Sequence, residues 1–221
     1  MDDTKWERAA GAGGILFVVM VVVSAVLPGE PPGTADPGIE IAKYFADNGD
    51  AIRVAAVLGI LATVPLVWWA AAIYRRLERA TGNARLGVMT VIGVAIGAVA
   101  AGVSSVIYGS VALTGELGAG GVAGVKFFYV LGTNLTSMVA IGTALLVGSV
   151  SAGILRTGML PKWLGWWGAL VALLSVGGSL IAVSGNDAVF GISLAAFLTF
   201  MVWLLVVSIL MLRRPAEAPA A

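Results

Sequence analysis

Residues 54–74 read VAAVLGILATVPLVWWAAAIY and run directly into Arg75 and Arg76. At 1.5 Å per residue such a run covers about 30 Å, the thickness of bilayer hydrocarbon, and it contains no charged side chain. It reads as a membrane-spanning helix with a basic exit. Five more apolar runs surround it, at about Ala9 to Leu27, Leu86 to Leu113, Val122 to Leu155, Trp163 to Ser184 and Ala188 to Leu212. The expected fold is therefore all-α, a polytopic transmembrane bundle of six spans. The third and fourth runs exceed the bilayer, so tilt or emergence into solvent is expected there.

Composition points the same way. The chain has 221 residues, 59% hydrophobic and 11% charged, where a soluble domain carries about 25% charged residues. Six spans with their loops consume nearly all of it, so a single membrane domain is expected over residues 1–214, with a Pro/Ala-rich disordered tail at 215–221. The net charge is +1 and the cations sit in short clusters beside apolar runs. Nucleic acid is thus not an expected partner; the lipid bilayer is. With no cysteine and no histidine, disulfides, thiolate nucleophiles, iron–sulfur clusters, the usual haem ligation and Ser-His catalysis are excluded. No cofactor or metal is expected. The bias to Ala, Gly, Val and Arg over Lys points to a GC-rich bacterial genome and so to a plasma membrane.

Orientation follows from the basic residues. With the amino terminus inside, Lys5, Arg8, Arg75, Arg76, Arg79, Arg85, Arg156, Lys162, Arg213 and Arg214 lie on the inner side, against Lys43, Arg53 and Lys126 outside. Ten against three predicts both termini in the cytoplasm. Trp6, Trp68, Trp69, Trp163, Trp166 and Trp167 cluster at the same inner ends, as interfacial aromatics do. The first run lacks a clean small-x-small cleavage site before Pro28 and is expected to remain as a span.

The longest loop, Pro28 to Arg53, would lie outside. Asp36-Pro37 offers a capping carboxylate ahead of a proline in the first helical position. A short surface helix is expected from Pro37 to Asn48, with Ile39, Ala42, Tyr44 and Phe45 as its apolar face and Glu40, Lys43 and Asp47 toward water. Inside the second span, Pro65 should kink the helix and free a carbonyl.

Few motifs carry chemistry. Residues 118–123 fit a G-x-G-x-x-A pattern but lack the strand and acidic residue of a dinucleotide site, and read as a flexible connection. No Walker sequence occurs. Gly93, Gly97 and Ala101 make a small-residue stripe, as do Gly165 with Ala169 and Gly168 with Ala172. Such stripes let backbones approach, either within the bundle or between copies or partner proteins. The spans carry no deep charge apart from Glu116 and Lys126 near outer ends, which disfavours proton relays and charged ion sites.

What remains is neutral and polar: Ser104, Ser105 and Tyr108 in the third span, Thr133, Asn134 and Ser137 in the fourth, Ser175 and Ser179 in the fifth. All fall in the outer halves of their helices. They are candidates for an outward-facing pocket, centred on Asn134 and Tyr108, that binds or transports a small neutral or lipidic ligand, with Gly102, Gly132 and Gly178 leaving room for it. The alternative is that they hydrogen-bond one another between helices and that the chain is a non-catalytic membrane component packing with partners. An enzyme is not expected from a chain confined to Ser, Tyr, Asn and Lys chemistry.

Tyr44-Phe45-Ala46-Asp47-Asn48 before the second span, the exit Tyr74-Arg75-Arg76-Leu77, and Leu160-Pro161-Lys162-Trp163-Leu164-Gly165 opening the fifth together resemble an uncharacterised family of bacterial six-helix membrane proteins common in actinobacteria. The resemblance implies the six-helix architecture and supplies no activity or catalytic residue.

Overall fold

The computed structural model describes residues 3–114, 121–180 and 187–213. Expectations for Glu116, Gly118, Ser184 and the tail after Arg213 lie outside them. Within the described residues the chain forms eight helices: α1 Asp3–Val26, α2 Gly38–Asp47, α3 Gly49–Thr81, α4 Arg85–Thr114, α5 Gly121–Asn134, α6 Thr136–Thr157, α7 Lys162–Gly178 and α8 Asp187–Arg213. Five stretches are long and apolar enough to cross a membrane: Lys5–Val26, Gly49–Thr81, Arg85–Thr114, Gly121–Thr157 (α5 with α6) and Gly191–Arg213. The run expected as a fifth span is α7, whose 17 described residues cover about 26 Å at 1.5 Å per residue.

The long helices make an up-and-down ring. Each packs on the next, α1 on α3, α3 on α4, α4 on α6, α6 on α7 and α7 on α8, and α8 closes on α1. Short connections between apolar helices favour antiparallel neighbours, and the turns are cut cleanly. Gly82 and Gly158 end α3 and α6 in the left-handed region, at φ 71° and 69°, and their amides take the Glu78 and Ile154 carbonyls. Only glycine adopts that conformation without strain.

Two cores result. The larger is drawn from the whole ring and includes Trp69, Ile73, Leu77, Ile154, Leu164, Trp203 and Met211. Leu77 reaches across the ring to Gly153, so α3 and α6 meet in its middle. The smaller core lies under α2 and includes Ile41, Ala42, Phe45, Ile52, Val111, Val125 and Tyr129.

The small-residue stripes pack inside the bundle. A Cβ on Gly142 would sit 2.6 Å from the Gly93 carbonyl oxygen and 2.6 Å from the Gly97 amide, so α4 and α6 cross with backbones touching. Gly165 meets Leu155 and Ile154, and Gly168 meets Trp203, whose indole N–H donates to the Leu164 carbonyl at 3.0 Å.

Several local expectations are corrected. Asp36 does not cap α2; its carboxylate accepts from the Gly33 amide at 2.6 Å and holds the loop instead, leaving Pro37 at the N-cap with no side-chain cap. The buried face of α2 is Ile41, Ala42 and Phe45, while Ile39 is 63% exposed. The second span begins at Gly49 rather than near Val54, because Asn48 both ends α2 and precedes α3. Pro65 lies inside α3, and Gly13 of α1 crosses at that point. The fourth run, read as one helix, is interrupted at Leu135 between α5 and α6.

At the amino-terminal end the structure buries charge. Glu7 is 3% and Arg76 8% exposed, and Glu7 pairs with Arg79 at 3.4 Å, tying α1 to α3. Trp6 packs on Trp68 beside the pair, with ring centres 5.1 Å apart.

Candidate functional site

The candidate polar residues gather where α4, α5 and α2 meet, at the end of the ring away from the amino terminus. α5 presents Val125, Tyr129 and Gly132 as its buried face, at helical spacings of four and three. α4 presents Ser104, Tyr108 and Val111 with similar spacing, so two stripes meet along their length. α2 lies across both, and Phe45 sits 6.3 Å from the Tyr108 ring and 5.9 Å from the Tyr129 ring, with the two tyrosines 5.9 Å apart. Burial, and after it the neighbouring Tyr108, pushes the Tyr44 phenol above its ordinary pKa. That tyrosine stays neutral at any physiological pH.

Polar groups within this apolar cluster find partners, as groups removed from water must. The Ser104 hydroxyl donates to the Gly132 carbonyl at 2.9 Å. Tyr108 and Thr133 hydroxyls share a hydrogen bond of 2.9 Å, and Thr133 also donates to the Tyr129 carbonyl at 2.9 Å. The Tyr129 hydroxyl donates to the Pro32 carbonyl, and the Lys126 ammonium to the Asp36 carbonyl at 2.8 Å, so α5 is strapped to the loop that enters α2.

The remaining candidates fall elsewhere. Ser105 is only partly buried and turns toward Gly59 of α3, near Ser24 of α1. Asn134 ends α5 and is partly buried. Ser137, just past the break, has a buried hydroxyl with no hydrogen-bond partner. Ser175 and Ser179 donate to Val171 and Val176 carbonyls of their own helix, and α7 packs on α6 and α8. They do not join the α4–α5 cluster.

The glycines expected to leave room are filled at two of three positions. A Cβ at Gly132 would meet the Tyr108 ring at 2.7 Å, and one at Gly178 would meet the Ser193 hydroxyl at 2.9 Å. Only Gly102 faces open space. The clefts of this end lie to either side of the cluster. One, of about 510 Å³, sits at the α2–α3 junction among Asp47, Asn48, Asp50 and Arg53, with Arg53 ion-paired to Asp50. The other, of about 200 Å³, is an apolar groove between α4 and α5 lined by Ile107, Val111, Val125 and Phe128.

Other polar contacts of the bundle escaped the sequence reading because nothing local marks them. Thr90 and Ser149 bond between α4 and α6 at 2.8 Å, whereas the Trp69 indole and the Ser208 hydroxyl crowd Gly14 without a hydrogen-bond partner. Tyr129 and Lys126 were more legible, since they precede Thr133 by one and two turns on the same face. Among the described residues no group of three or more Asp or Glu is placed to hold a metal ion.

Fold and site together define a class, a bundle of long apolar helices compatible with a membrane and closed at one end by a small folded cap. Comparison with family models, curated proteins and solved structures gives no match.

Proposed function

We propose that the chain is a six-span protein of the bacterial plasma membrane with both ends in the cytoplasm, a non-catalytic component that packs with partner membrane proteins through its outer cap. Topology supports the orientation: the start of α1, the α3–α4 and α6–α7 turns and the end of α8 share one end of the ring and carry Arg75, Arg76, Arg79, Arg85, Arg156, Lys162 and Arg213. The resemblance to bacterial six-helix membrane proteins agrees with this reading.

One observation carries the choice of role. Ser104, Tyr108 and Thr133, the residues best suited to line a pocket, spend their hydroxyls on one another and on main-chain carbonyls, and Tyr108 fills the space at Gly132. The polar cluster thereby supports the packing reading over a ligand cavity. What this end offers to others is the cap surface, with Ile39, Glu40, Lys43 and Asp47 exposed along α2. A second reading, a small neutral or lipidic ligand, keeps the support of the unpartnered Ser137 hydroxyl beside a broken helix.

Impermeant thiol labelling from outside separates the two. Cysteines placed one at a time at Tyr108, Asn134 and Ser179 should stay unreactive in intact cells while a cysteine at the exposed loop residue Glu30 reacts. Reaction at Asn134 would return the ligand reading. For the partner itself, a photocrosslinking residue at Ile39 should give a discrete protein adduct in cells, and adducts no different from those at the exposed Trp166 would end the proposal.

A further inference from the structure

The break in the fourth run divides a helix whose two halves are held in different ways. Below it, α6 is fixed to α4 where Gly142 meets Gly93 and Gly97 with backbones in contact, an arrangement that no side-chain rearrangement can loosen. Above it, α5 packs mainly on α4 and α2, and its seam with α4 is polar: the Tyr108–Thr133 bond and the Ser104 bond to the Gly132 carbonyl. Hydrogen bonds of that kind between spanning helices are individually weak. The apolar groove of about 200 Å³ runs along the same seam.

The break itself has no proline or glycine. Thr133 and Thr136 turn their hydroxyls onto the carbonyls of Tyr129 and Thr133, at 2.9 and 2.6 Å, and the Leu135 and Val139 amides reach their acceptors only at 3.2 Å. Side chains competing for backbone carbonyls are a recognised cause of helix bending. α5 is meanwhile fastened to the cap by the Lys126 bond to the Asp36 carbonyl, the Tyr129 bond to the Pro32 carbonyl, the edge-to-face contact of Phe45 with Tyr129, and the close approach of Gly38 to Val122.

We propose that α5 and the cap form one arm that pivots at Leu135 against the fixed α4–α6 crossing, with the Lys126 and Tyr129 bonds as the strap that holds it shut. Opening the arm parts the α4–α5 seam and uncovers the Ser137 hydroxyl, which has no partner in the closed state. The arm converts an event at the outer cap into a change within the spans.

The chain contains no cysteine, so spin labels can be placed freely. Labels at the exposed positions Phe128 on α5 and Leu170 on α7 report the arm, and labels at Val91 on α4 and Leu170 report the fixed ring. In proteoliposomes, Tyr129→Phe combined with Lys126→Met should broaden or split the first distance distribution by several ångströms and leave the second unchanged. An unchanged first pair would overturn the pivot, and so would equal broadening of both pairs, which would mean general loosening. Tyr129→Phe alone, which keeps the ring packing and removes one strap bond, gives the same comparison should the double variant not fold.

Discussion

Gly142 shows how much one missing methyl group decides. Alanine is a better helix former than glycine by about 1 kcal/mol, so Gly142→Ala ought to stabilise α6 if the helix stood alone. Here the added carbon would lie 2.6 Å from two backbone atoms of α4, neither of which can rotate away. The clash wins, with an expected net loss of about 1–3 kcal/mol. Gly102→Ala, which meets nothing within 4 Å, should be neutral or slightly stabilising; unfolding of both variants in detergent checks the contrast. Glu7 poses the electrostatic version. Its side chain is 5% exposed and faces Arg79, with Arg76 buried nearby. Arg79 keeps 32% of its side chain exposed, so Glu7→Ala strips it and the buried Arg76 of a nearby carboxylate and should cost about 1–3 kcal/mol. Glu7→Asp, which keeps the charge, should recover part of that loss, and equal losses for the two would show that the charge is not what matters.

Among the elements, α2 depends most on its context. Its ten residues are too few for a stable helix in water, and it lacks a side-chain cap, so its order comes from burying Ile41, Ala42 and Phe45. Phe45→Ala removes the ring that joins α2 to both tyrosines and should cost about 3–5 kcal/mol locally. Amide exchange across residues 38–47 should accelerate while α7 keeps its protection. Acceleration spread evenly over the bundle would argue against an independent cap. α5 and α6 teach a related point. Their residues form one continuous apolar run, and the interruption at Leu135 falls where the Thr133 and Thr136 hydroxyls bond main-chain carbonyls, a feature that hydropathy does not register.

For the molecule as a whole, the ring order places every expected inner cluster of basic residues at one end. Alkaline phosphatase fused after Gly33 should be active and fused after Gly82 inactive; the reverse pattern would invert the proposed topology. The all-helical class, the long apolar helices and the approximate starts and stops of the bundle were legible in the sequence, because a chain in lipid must satisfy its backbone within each helix and hydropathy then marks the helices directly. The amphipathic helix before the second span was equally legible from its periodicity, although Ile39, expected on the apolar face, is exposed and Ile41, assigned to neither face, is buried, a choice that only docking makes. Side-chain partnership was not legible. Ser104, Tyr108, Thr133, Ser175 and Ser179 look alike along the chain, yet the first three join across α4 and α5 while the last two bond within α7. Which helix lies beside which, where Tyr108 fills the space at Gly132, and whether a glycine stripe is spent inside the bundle are decided by contacts between residues far apart in sequence. Hydropathy acts on each segment separately, whereas packing acts on pairs of surfaces, and those exist only once the ring has closed.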